Sequence, residues 1–294
     1  MKTFYWNPLL TRTPDYLEMH LHYMKNSGHI LTHNFGDAIG KLLLGKIVPE
    51  KTYYWSRPKS AVIFSTGSIL ETILHTRSSK ISNIWGSGFR EYGFDTSTIT
   101  RNFNIIALRG ELSATQLSIP PSKVVLGDPA LLVSKYFDVK LDNENKFNTF
   151  IPHFSHYQQQ IDRGFKPNAY IDDLRVVNVG QNVLEVVNAI SNSRVLFSSA
   201  MHPLIVADSL GIPAVRIVSN LSELNSFKYK DYLSIFPGKK SWPVLEFSKF
   251  RNGDFSEEKV RFESQLRLHK NQATMEYTQE NLTRSLRSWF EVWQ

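Results

Sequence analysis

Four polar side chains stand where their types and neighbours suit chemistry: Asp37, Arg109, His202 and Lys228. The segment FSSAMHP at 197–203 leaves an apolar run and enters a helical pattern, which sets Ser198, Ser199 and the backbone amides of Met201 and His202 at a helix N-terminus. Unsatisfied amides and the helix dipole favour a phosphate or carboxylate there. His202 beside such an anion can donate a hydrogen bond or a proton near neutral pH. An ordinary helix start asks for the same residues, with Ser199 as N-cap and His202 as a first-turn surface residue. Arg109 follows the apolar run NIIAL. An arginine at a strand end can hold a carboxylate or phosphate through two parallel bonds, and a salt bridge to a neighbouring carboxylate explains it equally well. Lys228, in SFKYKDY at 226–232, is a third cation for the same anion or an ordinary loop lysine. Neither Arg109 nor His202 is read as core.

Asn34 and Asp37 open the segment HNFGDAIGKLLLGKIV at 33–48, a glycine-bearing turn that becomes an apolar-faced helix. Asp37 can bind sugar hydroxyls or take a proton from one; it can also serve only as a helix cap. His153, after Ile151 and Pro152, stands near the start of a second run of strands and can face the same space. None of these residues has metal-ligand spacing, and no GxGxxG or P-loop occurs, so the expectation is no metal and no cofactor. The complete lack of cysteine excludes a disulfide framework, a thiolate zinc site and a cysteine nucleophile.

The elements that must position these residues follow from apolar runs ending in small residues. AVIFSTGS at 61–68, NIWGSG at 83–88, NIIALRG at 104–110 and KVVLGDP at 123–129 read as buried parallel strands about 20 residues apart, room for one crossover helix each. A glycine follows each, Gly88 among them, at the strand ends where an open parallel sheet holds its ligand. Tight strand-to-helix turns explain any one of these glycines as well. The polar stretch LDNENKFNT at 141–149 is the candidate linker, dividing the chain into domains at 1–143 and 144–294. Beyond it, FIPHF at 150–154, LRVVNVG at 174–180, RVLFSS at 194–199 and PAVRIV at 213–218 read as strands, with helices at 183–193 and 201–211. The charged, proline-free stretch from Glu257 to Gln294 reads as one or two closing helices with a solvated surface.

At 294 residues, 41% hydrophobic and 21% charged, the chain can bury two ordinary cores. The N-terminal MKTFYWNPLLTRTPDY lacks the apolar core of a signal peptide, and nowhere do about 18 uninterrupted apolar residues occur. The reading is therefore cytoplasmic. A formal charge of +7 leaves an anionic substrate or a peripheral contact with the anionic inner face of a membrane open. Lysine and arginine are dispersed and no nucleic-acid motif is present, which argues against nucleic acid.

Taken in order, NFGDAI at 34–39, TGS at 66–68, WGSG at 85–88, LRG at 108–110, GDPAL at 127–131, PHF at 152–154, SSAMH at 198–202, ADSLGIP at 207–213 and FKYKDY at 227–232 resemble the polysaccharide pyruvyltransferases. The resemblance implies an α/β, glycosyltransferase-B-like fold, with two Rossmann-like domains whose parallel sheets face an interdomain cleft. It implies transfer of a pyruvyl group from phosphoenolpyruvate to two hydroxyls of a sugar, free or lipid-linked, as a cyclic ketal with release of phosphate. The family's essential arginine, histidine and lysine map onto Arg109, His202 and Lys228. Donor contacts then also fall to Ser198, Ser199, Met201 and Gly88, and acceptor contacts to Asn34, Asp37 and His153. Pro203 departs from the glycine that many relatives carry after the histidine. A nucleotide-sugar glycosyltransferase of the same fold and a non-catalytic glycan-binding protein are the alternatives.

Overall fold

In the computed structural model, which describes residues 1–4, 34–55, 60–74, 81–97, 103–139, 147–153, 174–180, 182–239 and 241–293, the apolar runs fall into two parallel sheets. The first holds β1 (Lys2–Phe4), β2 (Tyr54–Trp55), β3 (Ile63–Phe64), β4 (Ser82–Trp85), β5 (Phe103–Leu108) and β6 (Val125–Leu126), in the order β2-β1-β3-β4-β5-β6. The second holds β7 (Phe147–Ile151), β8 (Leu174–Val176), β9 (Ser193–Ser198), β10 (Ala214–Val218) and β11 (Val244–Glu246), in the order β11-β10-β9-β7-β8. Two α/β halves, each built on one parallel sheet, are what a glycosyltransferase-B-like architecture requires. Strands buried on both faces explain the unbroken apolar runs: β4 and most of β9 and β10 are inaccessible to solvent.

Some boundaries differ from those read in the sequence. KVVLGDP pairs only at Val125–Leu126, because Pro121–Lys123 forms a 3-10 turn. The end of the polar stretch at 141–149 is already strand: β7 begins at exposed Phe147 and buries every residue from Asn148 to Ile151. The proposed division between residues 143 and 144 lies outside the described residues; sheet membership changes between Leu126 and Phe147. β1, β2 and β11 have two or three residues each, too short for periodicity to mark them.

The helices are α1 (Phe35–Ile47), α2 (Leu70–Leu74), α3 (Glu111–Gln116), α4 (Val133–Tyr136), α5 (Val183–Ser191), α6 (Met201–Leu210), α7 (Phe227–Leu233), α8 (Phe247–Asn252) and α9 (Glu257–Trp293). One apolar cluster runs from α1 (Phe35, Ile39, Leu43) through Leu131 and Leu132 to α5 and α6 (Val186, Ile190, Leu204, Ile205). The halves are thus joined by a shared core, and each large side chain buried there contributes about 1.5–3 kcal/mol.

The closing segment is one helix and is not merely a solvated surface. Val260, Leu268, Met275, Leu282, Leu286 and Phe290 form its buried stripe. Its start is tied to the second half: Glu257 accepts from Arg194 Nε (2.9 Å) and Asn148 Nδ2 (2.7 Å), and Arg267 makes a two-pronged ion pair with buried Asp208 of α6 (2.5 and 2.9 Å). Its later turns hold the first half, where Gln279 Nε2 donates to Leu131 O (2.6 Å) and Leu282 O accepts from Trp85 Nε1 (3.2 Å). Among the described residues no helix is long and apolar enough to cross a membrane.

Strand order reverses once in each sheet, between β1 and β3 and between β7 and β9. Beyond the carboxyl ends of strands, such a reversal opens the crevice in which ligands of open α/β sheets bind. The site residues gather around these two points.

Candidate active site

His202 reaches the site because β9 ends at Ser198 and α6 begins at Met201, with extended Ala200 as the N-cap. Ser199 is therefore not the cap. Ser198 is fully buried; its Oγ donates to Ile151 O (2.6 Å) and accepts from Ala200 N (3.0 Å). Ser199 Oγ accepts from His153 N (2.8 Å), and Ser199 O accepts from Tyr229 Oη (3.1 Å). Both serines thus stitch the ends of β7 and β9 together at the second switch point. The Met201 side chain is buried in the shared core, leaving its N–H and that of His202 as the first-turn donors. Pro203 is the third helical residue, where a missing N–H costs no intrahelical bond.

Asp37 stands in the first turn of α1, three residues after the N-cap Asn34. It is not the cap. Asn34 Nδ2 donates to Asp37 Oδ2 (2.5 Å), and the other carboxylate oxygen lies against Gly67, where a Cβ would overlap it. Gly67 has φ +107°, so this loop after β3 favours glycine on two grounds. Burial pushes the Asp37 carboxyl up to about 7, with nearby Asp128 adding to the rise and His202, Lys228 and Arg109 opposing it.

Arg109 is core, contrary to the sequence reading. Its side chain is fully buried, and Nε donates to Asp231 Oδ2 (2.9 Å), Nη1 to Ser68 Oγ (2.8 Å) and Nη2 to Phe89 O. The flat face of the guanidinium presses on Gly88, which has no room for a Cβ. Asp231, on α7, also accepts from Ser113 N (2.8 Å) and Ser113 Oγ (2.6 Å), so the ion pair bolts the second half to the first. Of the two explanations open for Arg109, the carboxylate partner is present.

Lys228, in the first turn of α7, is partly buried. Burial lowers its ammonium to about 8, Arg109 and Arg216 add to the fall, and Asp37 opposes it. Arg216, buried on β10 with its guanidinium 3.5 Å from the Tyr229 ring centroid, is a cation the sequence reading missed. Its place inside the run AVRIV gave no outward sign beyond the charge itself.

The arrangement has a buried floor of Asp37, Asp128, Arg109 and Gly88, and partly exposed residues in Asn34, Ser68, His153, Ser199, His202 and Lys228. Asp37, His202, Lys228 and Arg109 share one electrostatic neighbourhood although they come from both halves. Such a set can receive an anion and move a proton between a carboxylate and an imidazole. Asp128 is the other residue the sequence reading left without a role; its signal was a carboxylate directly after a strand and a glycine, in GDPAL. Among the described residues no group of three or more acidic or histidine side chains is arranged to hold a metal.

Residues 8–221 match the family described as polysaccharide pyruvyl transferase. A succinoglycan biosynthesis protein, ExoV of Rhizobium meliloti (strain 1021), is 24% identical over 201 residues, which is 68% of this chain and 60% of that protein. The chain thus aligns with less than two thirds of that relative's length. Among solved structures, a variant of the wall teichoic acid polymerase TagF is 12% identical with a TM-score of 0.41, covering 99% of this chain and 90% of that one. TagF itself gives a TM-score of 0.38 at 12% identity, over 99% and 90% of the two chains. Likeness at this level carries no argument, and the fold rests on the two sheets themselves.

Proposed function

Because the chain belongs to the polysaccharide pyruvyl transferase family, we propose that it transfers a pyruvyl group from phosphoenolpyruvate to two hydroxyls of a sugar in a polysaccharide precursor. The observation that carries this reading is the meeting of Asp37 from the first half with His202 and Lys228 from the second. The donor has a carboxylate and a phosphate, and a lysine beside a helix N-terminus suits such anions.

In the proposed reaction His202 supplies the proton that converts the donor's methylene to a methyl group, leaving an oxocarbenium-like carbon. A sugar hydroxyl adds there and its proton passes to Asp37, whose raised affinity for protons suits a general base near neutral pH. Phosphate then leaves with its bonding electrons, the second hydroxyl adds, and its proton ends on phosphate or solvent. Lys228 and the N–H groups of Met201 and His202 hold the donor. Arg109 adds positive charge from beneath and holds the loops that carry Ser68 and Phe89. Asn34 and His153 stand on the acceptor side, while Ser198 and Ser199 hold the strand ends together and Gly88 makes room for Arg109. A membrane-bound, lipid-linked acceptor agrees with the positive charge of the chain.

The test is incubation with phosphoenolpyruvate and a panel of sugar acceptors, following phosphate release beside the acceptor mass. Stoichiometric phosphate and a pyruvyl ketal on the acceptor support the reading. Consumption of a sugar nucleotide with glycosyl transfer, or donor hydrolysis with no change in any acceptor, counts against it.

A further inference from the structure

Two buried polar atoms face each other in the site, and neither has a hydrogen-bond partner among the described residues: Asp128 Oδ2 and His202 Nε2, 3.6 Å apart. Asp128 is fully buried, and its other oxygen is occupied by Ala130 N (2.9 Å), so the carboxylate is held as the cap of the 3-10 turn Pro129–Leu132. The gap is too short to admit a bridging water and slightly long for a hydrogen bond. Catalytic hydrogen bonds are often long before substrate binds and tighten afterwards. On its opposite edge the imidazole lies over the first turn of α1, where a Cβ on Gly36 would overlap Nδ1. A ring carried by the second half is thus seated between two elements of the first.

We infer that Asp128 is the positioning residue of His202, fixing the proton of the neutral ring on Nε2 and leaving Nδ1, on the α1 side, to exchange protons with the reacting groups. An ionised carboxylate only accepts hydrogen bonds, so it favours the tautomer whose N–H points at it. The partner of one ring nitrogen thereby decides the chemistry of the other. Gly36 completes the seat, since any side chain there would overlap Nδ1 and displace the ring. The inference rests on the reading of His202 as the proton carrier for its consequence in catalysis, but the tautomer itself can be observed without any turnover.

The experiment uses the full chain labelled with ¹⁵N-histidine and long-range ¹H–¹⁵N correlation at alkaline pH, with His202 assigned among the nine histidines by the signal lost in His202→Gln. The expected result is an Nε2–H ring in the wild type. In Asp128→Asn, whose amide can donate as well as accept and still cap Ala130, the preference becomes mixed or inverted. An Nδ1–H ring in the wild type, or a tautomer unchanged by Asp128→Asn, overturns the inference. Kinetics give the second readout: Asp128→Asn should lower kcat by ~10²-fold or more with donor KM little changed, by analogy with the tautomer error of triad enzymes. If Asp128→Asn alters only thermal stability and leaves kcat intact, Asp128 is structural. A wild type inactive on every acceptor defeats the proposed transfer while leaving the tautomer measurement decisive for Asp128.

Discussion

Replacing Arg109 by methionine should cost far more stability than a ligand-gripping surface arginine would. The guanidinium and the Asp231 carboxylate are both fully buried at 2.9 Å, and they belong to different halves. Removing the cation leaves a buried carboxylate with only the two Ser113 donors. Breaking a buried pair in this way typically costs about 3–5 kcal/mol, because the remaining charge has neither counter-ion nor access to water. Asp231→Leu should cost a similar amount from the other side, stranding the guanidinium. The double variant removes both charges, so its loss should fall short of the summed single losses by about 2–5 kcal/mol. Against a typical total of roughly 5–15 kcal/mol, each single variant loses a large share of the whole. Urea unfolding followed by two independent probes measures all four proteins and tests whether the halves unfold together. A loss under about 1 kcal/mol for Arg109→Met, or strictly additive losses in the double variant, would refute the argument that this pair bolts the halves together. It follows that weak donor binding by an Arg109 variant has to be corrected for unfolded protein before it speaks to the anion site.

Four other outcomes are expected. Asp37 titrates at about 7 in the folded chain against 3.8 ordinarily, so the folded state holds the extra proton. Its stabilising effect is complete below about 4 and is lost as pH rises through about 7; over that span Asp37→Asn should flatten a decline on the order of 4 kcal/mol, measured by unfolding across pH. Donor affinity should fall as pH rises through about 8, where Lys228 loses its proton, and calorimetry on Lys228→Met should show no such fall. With the base active above about 7, kcat/KM should describe a narrow bell between these two values. His202→Ala should lower turnover ~10²-fold or more while changing donor affinity much less; ketal formation at the wild-type rate would return His202 to a helix-entry role.

The sequence makes the two-sheet plan legible because strands buried on both faces write themselves as apolar runs, and NIIAL and RVLFS survive almost unchanged as β5 and β9. Strand pairs of two or three residues carry no period, so β1, β2 and β11 were invisible. Arg109 and His202 stand out from their places after a strand and at a helix start, and Lys228 from the alternation of lysine with aromatics in FKYKDY. What each touches does not. Asp231 lies 122 positions from Arg109, and no local pattern encodes that pairing. Asp128 was passed over because a carboxylate in a glycine–proline turn looks like turn chemistry, and it does cap one. The C-terminal helix misled in the opposite sense: its net polarity hid a stripe that seals both halves.

One physical requirement links the buried pairs to the proposed chemistry. A site assembled from two sheets is only as accurate as the contact between them, and a displacement of about 1 Å can cost ~10²-fold in rate. In this chain the fixing contacts neighbour the residues proposed to react. Arg109 and Asp231 pair across the halves near enough to Lys228 for Arg109 to act on its charge, Asp128 approaches His202 across the same boundary, and Gly36 lets the ring lie against α1. The glycines that border the site are therefore constrained from the protein side before any ligand is considered. Gly36→Ala tests this in isolation. The new methyl group overlaps the imidazole and removes no functional group, so it should lower turnover with only a small loss of stability. A variant that retains wild-type turnover would mean that His202 has room to move and that its seat is not part of the machinery.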